Sequence, residues 1–136
     1  MNQYLLDTNV VSELRKARPH GAVMAWLSAA EEASLFVSAV TLGELQVGIE
    51  RTRRQDPLKA SELEAWVDHV PAVHRVLPMD VACFREWGRI MDRKPPERLQ
   101  DAMIAATARV HRLTVATRNE RDFRQLEVRT FNPFKS

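Results

Sequence analysis

Cysteine is nearly absent: Cys83 stands alone in 136 residues. A single thiol excludes an internal disulfide and a cysteine metal cage, and it suits a reducing compartment. No His-x-x-x-His or Cys-x-x-Cys occurs. His20, His69, His74 and His111 share no spacing, so a zinc-type site has no ligand pattern to rest on. No apolar run approaches eighteen residues, and no basic segment followed by an apolar one opens the chain. Both absences argue against a membrane span or secretory leader and for the cytoplasm. Charge of one sign is also scarce: 20 Lys and Arg nearly balance 18 Asp and Glu, for a formal net charge of +2. Any nucleic-acid surface must therefore come from how charge is distributed, not from its total. Repeats and low-complexity stretches are missing as well. What is present is a composition 45% hydrophobic, which suits one domain over residues 1–136 and leaves little for a second.

Short apolar runs alternate with helical periodicity along the whole chain. "YLLD" at 4–7, "SLFVS" at 34–38, "HRVLP" at 74–78, "LTVAT" at 113–117 and "VRTFN" at 128–132 read as strands. Helices are expected over 10–16, 22–30, 41–54, 58–69, 81–92 and 99–112, with Pro95-Pro96 breaking the chain ahead of the last. This alternation predicts an α/β fold with a parallel sheet and helices on both faces. In such sheets the site lies outside the carboxyl ends of the strands.

Four acids are candidates for that edge. Asp7 ends the first strand. Glu44 lies in what reads as the first turn of the helix after "SLFVS". Asp101 heads "LQDAMIAATARVHR", and Asp122 follows "LTVAT" within "TRNERDF". Each also has a structural explanation. Asp7 can cap the next helix. Thr41 and Glu44 match a T-x-x-E capping box. Asp101 suits the helix dipole, and Asp122 can be a solvated loop acid. Asp101 is the hardest to dismiss, because seven uncharged residues, "AMIAATA", follow it. That helix is buried on most sides, so the acid at its head needs a proton, a donor or a cation. Four carboxylates gathered at one edge repel one another unless a cation neutralises them. An all-oxygen set favours Mg²⁺ or Mn²⁺, and the chemistry that uses such a site is phosphoryl transfer.

The blocks "LLDTNVVSEL", "SAVTLGELQVGI", "DAMIAATA" and "VATRNERDF" resemble, in order and spacing, the motifs of PIN-domain ribonucleases, most nearly toxins of the VapC and FitB type. The resemblance runs nearly end to end and includes the terminal "FNPF". It implies a PIN-like α/β/α domain with a parallel sheet of four or five strands, and Mg²⁺- or Mn²⁺-dependent hydrolysis of RNA. It matches the family's acids to Asp7, Glu44 and Asp101. The fourth position falls on Asp122 in this chain, with Asn119 standing where some relatives carry an acid. Thr8, Asn9 and Thr117 match the small polar positions around such sites, and the resemblance gives Asn119 the role of a neighbour that orients water or metal. The resemblance further implies a homodimer and a cognate antitoxin that assembles with the toxin into a hetero-oligomer. Promoter DNA is bound only through that antitoxin, and no membrane is involved. The alternative is a PIN-scaffold binding module without catalysis, acting in a repressor complex. A D-x-D phosphatase motif is absent, since "DTN" lacks the second acid.

Other features read as structural. "RTRR" at 51–54 suits a helix end, although it can also meet phosphates. Trp26, Trp66 and Trp87 sit on apolar helical stripes, and Cys83 reads as a small buried side chain.

Overall fold

The computed structural model describes residues 2–92, 94–95 and 98–135. Pro96, the second residue of the expected break, lies outside them; Pro95 stands in a connection between helices. Five strands form one sheet: β1 (Tyr4–Leu6), β2 (Leu35–Ser38), β3 (Arg75–Leu77), β4 (Thr114–Ala116) and β5 (Thr130–Phe131). The order is β3-β2-β1-β4-β5, with every pairing parallel. The helices are α1 (Thr8–Val11), α2 (Gly21–Ala29), α3 (Ala39–Arg53), α4 (Pro57–Val73), α5 (Val81–Met91), α6 (Leu99–His111) and α7 (Glu120–Arg124). A short 3₁₀ turn, Ser12–Arg15, extends α1. Among the described residues no helix is long and apolar enough to cross a membrane.

Strand alternation divides the core in two. Leu5, Phe36 and Val115 are register partners on one face. They pack against Ile90 of α5, against Phe123 of α7 and against Ala102, Ile104, Ala105, Ala106 and Ala108 of α6. Leu6, Val37 and Ala116 point to the other face, where Val10 and Val11 of α1, Val23 of α2 and Val70 of α4 meet them. Strands covered on both faces read as uninterrupted apolar runs, and these do. The alanines of α6 let its backbone lie close to the sheet, as "AMIAATA" implies. The helix ends in a left-handed residue, Arg112 at φ 57°, which turns the chain into β4.

Helix α1 starts at Thr8, two residues before the expected start, where Asp7 caps it, and three further elements depart from the sequence reading. Helix α3 begins two residues early, because buried Ser38 at the end of β2 caps it: its hydroxyl accepts the Val40 N–H at 3.0 Å. The T-x-x-E box is therefore no cap. Thr41 is buried inside the helix, and Glu44 stands in its second turn. Helix α4 runs through Pro71 to Val73, since Val70 must reach the core beneath the sheet. Residues 120–124, read as a loop, form α7, which Phe123 anchors in the core.

Candidate active site

The strand order reverses at β1. From there the chain builds outward to β2 and β3, then crosses back to lay β4 on the other side. The segments leaving β1 and β4 diverge: α1 sends Val10 and Val11 to one face, and α7 sends Phe123 to the other. Diverging segments of this kind leave a crevice at the carboxyl edge of an open parallel sheet, which is the usual place for a site.

Asp7 stands at this crevice. The β1–β4 ladder continues one step past Leu6 and Ala116, with the Asp7 N–H donating to the Ala116 carbonyl at 2.9 Å. That step makes Thr117 its neighbour across 110 residues of sequence, and the Thr117 hydroxyl donates to Asp7 Oδ2 at 2.8 Å. Asn9 Nδ2 donates to the same oxygen at 3.2 Å, and the Thr8 N–H donates to Oδ1 at 2.8 Å. Asp7 thus does cap α1, as its structural explanation required, but a cap alone does not account for its surroundings. The residue is 5% exposed. Burial pushes its carboxyl up from 3.8 to about 6, against the lowering effect of the Thr117 and Thr8 hydrogen bonds; the negative charges of Asp101 and Glu44 push the same way as burial. The site therefore joins at least three acids electrostatically.

Glu44 reaches the crevice from α3. The Thr8 hydroxyl donates to Glu44 Oε1 at 2.8 Å and lies 3.2 Å from the Thr41 hydroxyl. Thr41 and Glu44 are three apart on one helical face, so both meet Thr8. Burial raises the Glu44 carboxyl, the Thr8 hydrogen bond lowers it, and the charge of Asp101 raises it again. Asp101 sits in the first turn of α6. It accepts no hydrogen bond among the described residues. Burial and then the charge of Asp122 raise its carboxyl, with Arg98 opposing.

Asp122 is the outlying member. Its side chain is 41% exposed, and Arg98 Nη1 holds its Oδ1 at 3.1 Å. It is coupled to Asp101 and does not figure among the influences on Asp7 or Glu44. Asn119 is exposed at the start of α7. Its N–H donates to the Thr117 hydroxyl at 2.9 Å, which ties it to the Asp7 network through the backbone. Asn9 makes a second tie, its Oδ1 accepting the Arg118 N–H at 3.3 Å. Three residues near these acids are not among the sequence candidates for the site: Arg98, Arg118 and Thr41, the last read only as part of a capping box. The i, i+3 spacing of Thr41 and Glu44 was the one available signal.

The donor set is all oxygen, which suits a hard divalent cation. Among the described residues no donor engages the oxygens of Asp101, and a carboxylate raised by burial and like charge gains most from a cation. Among the described residues no three Asp, Glu, His or Cys side chains are gathered closely enough to hold a metal ion as they stand. Asp7, Glu44 and Asp122 are directed instead toward Thr117, Thr8 and Arg98.

The remaining features behave as structure. Trp26 packs edge-on to Tyr4 with ring centroids 5.0 Å apart, and Trp66 fills the α3–α4 contact beside Ile49, Ala60 and Val67. Trp87 packs against the core under α5, and Cys83 is buried. A hollow of about 370 Å³ beside Tyr4 and Trp26 lies at the amino ends of β1 and β2, the edge opposite the acids.

This chain is similar to known proteins over almost its full length. A VapC ribonuclease of Sinorhizobium fredii is 36% identical over 142 residues, spanning 96% of this chain and 97% of that protein. Toxin FitB of Neisseria gonorrhoeae is 32% identical over 141 residues, spanning 96% and 97%. The crystal structure of FitAcB from Neisseria gonorrhoeae superposes with a TM-score of 0.86 at 31% identity, covering 98% of this chain and 100% of that one. A structure of FitAB bound to an IR36 DNA fragment superposes at 0.85 and 30% identity, covering 98% and 97%. The family model described as PIN domain matches residues 4–128, and the chain belongs to the PIN domain family.

Proposed function

We propose that this protein is a divalent-metal-dependent endoribonuclease and the toxin of a toxin–antitoxin pair. The observation that carries the reading is the coupling of Asp7, Glu44 and Asp101 at the strand-order reversal, from three elements far apart in sequence. The names of its relatives, a VapC ribonuclease and a FitB toxin, supply the substrate class and the biological role.

Asp7 and Asp101 would hold the main cation, Mg²⁺ or Mn²⁺, directly, with Glu44 and Asp122 holding it through water or completing a second site. Such an ion supplies an activated water and neutralises charge on the phosphate in flight. The chain's own residues set the conditions. Thr117, Thr8 and Asn9 fix the rotamer of Asp7 and favour its ionised form, so that it is mostly a carboxylate at neutral pH despite burial. Thr8 places Glu44. Arg98 restrains Asp122 at the rim. No histidine base is required.

A cognate antitoxin covers the toxin, and promoter DNA is bound through that antitoxin, in keeping with the DNA-bound FitAB structure. The toxin is a cytoplasmic homodimer in this reading. The test is incubation of purified protein with total RNA in Mg²⁺, in Mn²⁺ and in EDTA, beside Asp7→Asn. Cleavage by the wild type alone, and only with metal, is expected. Equal cleavage by Asp7→Asn, or cleavage in EDTA, refutes the site. A soluble wild type that neither cleaves nor arrests growth refutes the nuclease and favours the binding module.

A further inference from the structure

Next to the acids, on the β4–β5 side, a cleft of about 370 Å³ is lined by Arg118, Asn119, Arg121, Asp122, Arg124 and Lys135. Its cations are not balanced locally. Glu120, which also lines the cleft, is shared between Arg124 at 3.9 Å and Lys135 at 3.6 Å, so it neutralises one charge of the two. Asp122 is already paired with Arg98. Among the described residues Arg121 has no carboxylate within ion-pair distance. Four cations thus line the cleft with two carboxylates, one of which is committed elsewhere; the buried Glu13 also feels the charge of Arg118 but is already paired with Lys16.

Arg118 links the cleft to the site. Its N–H donates to Asn9, the residue that also holds Asp7. Its guanidinium lies over the Phe134 ring, with Cζ 3.9 Å from the centroid. Cation–π contact of this kind holds an arginine in place while leaving its N–H fork able to meet a phosphate. Phe134, from "FNPF", packs in turn against the core and against His20. The basic run at 51–54 is built differently. It lies at the far end of α3 from β2, and Arg53 is tied to Glu50 at 3.1 Å and Glu64 at 2.9 Å.

We propose that Arg118, Arg121, Arg124 and Lys135 form a tract for the phosphates of single-stranded RNA, leading the strand along α7 to the acids, with Arg118 on the phosphate nearest the cut. This rests on the reading of the acids as a ribonuclease site and names how that site takes its substrate. One concave basic cleft beside the chemistry suits a single backbone. Sequence need not be read there, because guanidinium–phosphate contacts position without specifying.

The experiment measures fluorescence anisotropy of a labelled single-stranded RNA of about twelve nucleotides, at several salt concentrations in EDTA, with a gel confirming that the probe stays intact. Each lost phosphate contact lowers the slope of log Kd on log salt by about 0.7 for a single strand. Arg121→Gln with Arg124→Gln should therefore flatten the slope by about 1.4 and weaken binding roughly 25-fold at 0.1 M salt, taking 1 M as the point of convergence. Arg118→Gln should weaken binding about fivefold by the same arithmetic and also slow cleavage of bound RNA, since the phosphate beside the cut is no longer held. The control, Arg51→Gln with Arg54→Gln, should leave the slope unchanged. Thermal melting identifies any variant that fails to fold; Lys135→Gln, at the exposed end of the chain, then replaces it with a slope change of about 0.7. Unchanged slopes in folded tract variants, or an equal loss in the control, overturn the tract. The two readings fail separately. A wild type that cuts RNA while tract variants bind normally loses the tract alone, and one that binds but never cuts loses the nuclease.

Discussion

Asp7 carries a stability penalty whose size and pH dependence can be worked out. Burial raises its carboxyl from 3.8 to about 6. The folded chain then holds that proton more tightly than the unfolded chain. Below pH 3.8 both states are protonated and the residue makes no difference. Between 3.8 and 6 the unfolded chain ionises first and gains on the folded one. Above 6 the difference is complete, about 3 kcal/mol at 1.36 kcal/mol per unit of pKa. Asp7→Asn removes this penalty. It keeps the cap, since Asn serves an N-cap as well as Asp, but Nδ2 replaces the oxygen that accepts from Thr117 and Asn9, at a cost of about 1 kcal/mol. The variant should be less stable than wild type by about 0.5 kcal/mol at pH 4 and more stable by about 2 kcal/mol at pH 7. The sign should change near pH 4.5, where the accumulated penalty equals about 1 kcal/mol. With about 2.1 cal/mol/K of unfolding entropy per residue over 136 residues, the gain at pH 7 is a rise of roughly 7 °C in Tm. Thermal melts of both proteins in EDTA from pH 4 to 8 are the assay. Curves that run parallel across that range refute the assignment of the buried charge to Asp7.

Mn²⁺ at a hundredfold excess over its Kd should stabilise wild type by roughly 2.7 kcal/mol at neutral pH, and Asp101→Asn should gain much less; equal shifts would return Asp101 to the role of a helix-start acid. Asp122→Asn should lower cleavage by roughly tenfold or more, and Asn119→Ala by less, because only a carboxylate neutralises a cation; the reverse order in a cleavage assay would move the fourth role to Asn119. Thr117→Val removes the hydrogen bond that most favours ionised Asp7, so the acid limb of the pH–rate profile should move to higher pH, with a several-fold loss near pH 6.5 that fades toward 8.5; an unmoved limb would show that Thr117 does not act through Asp7. Arg112→Gly relieves a left-handed residue at the end of α6 and should add about 0.5 kcal/mol in denaturant unfolding without changing cleavage.

The strands were legible because a sheet covered on both faces needs runs such as "YLL" and "LFVS", bounded by polar residues. Helix α3 was misplaced because Ser38 reads equally well as the last strand residue and as a cap. The geometry makes it both, and "TLGE" then imitates a box that the helix does not use. Helix α7 was missed because five residues with one buried side chain, Phe123, show no period. At the site, Asp7, Glu44 and Asp101 stood out by position against strands and helix starts. Their partners did not. Thr8 and Glu44 are 36 residues apart and Thr117 and Asp7 are 110 apart. Those contacts depend on strand order, which apolar periodicity does not encode. Arg98 and Arg118 escaped notice for the same reason: each matters only because the fold brings it to Asp122 or to Asn9.

In the proposed reading of the site, the donors around Asp7 belong to function more than to stability. A neutral residue of the same shape would suit a 5%-exposed position at the head of α1 better, because it would avoid the cost of burying a charge. Against a typical folding stability of about 5–15 kcal/mol, a penalty of about 3 kcal/mol is large. The packed faces of the sheet can bear it, since each fully buried Leu or Val contributes about 1.5–3 kcal/mol and Leu5, Leu6, Val37 and Val115 are all buried. Thr117, Thr8 and Asn9 keep that penalty from growing and hold the carboxyl near 6, so that about nine-tenths of it is ionised at pH 7. With those donors gone, the folded chain could escape the penalty by retaining the proton, and the position would lose the charge that a cation needs. The sheet therefore supplies the stability, and the three donors ensure that it supports an ionised acid at the point where the strand order reverses.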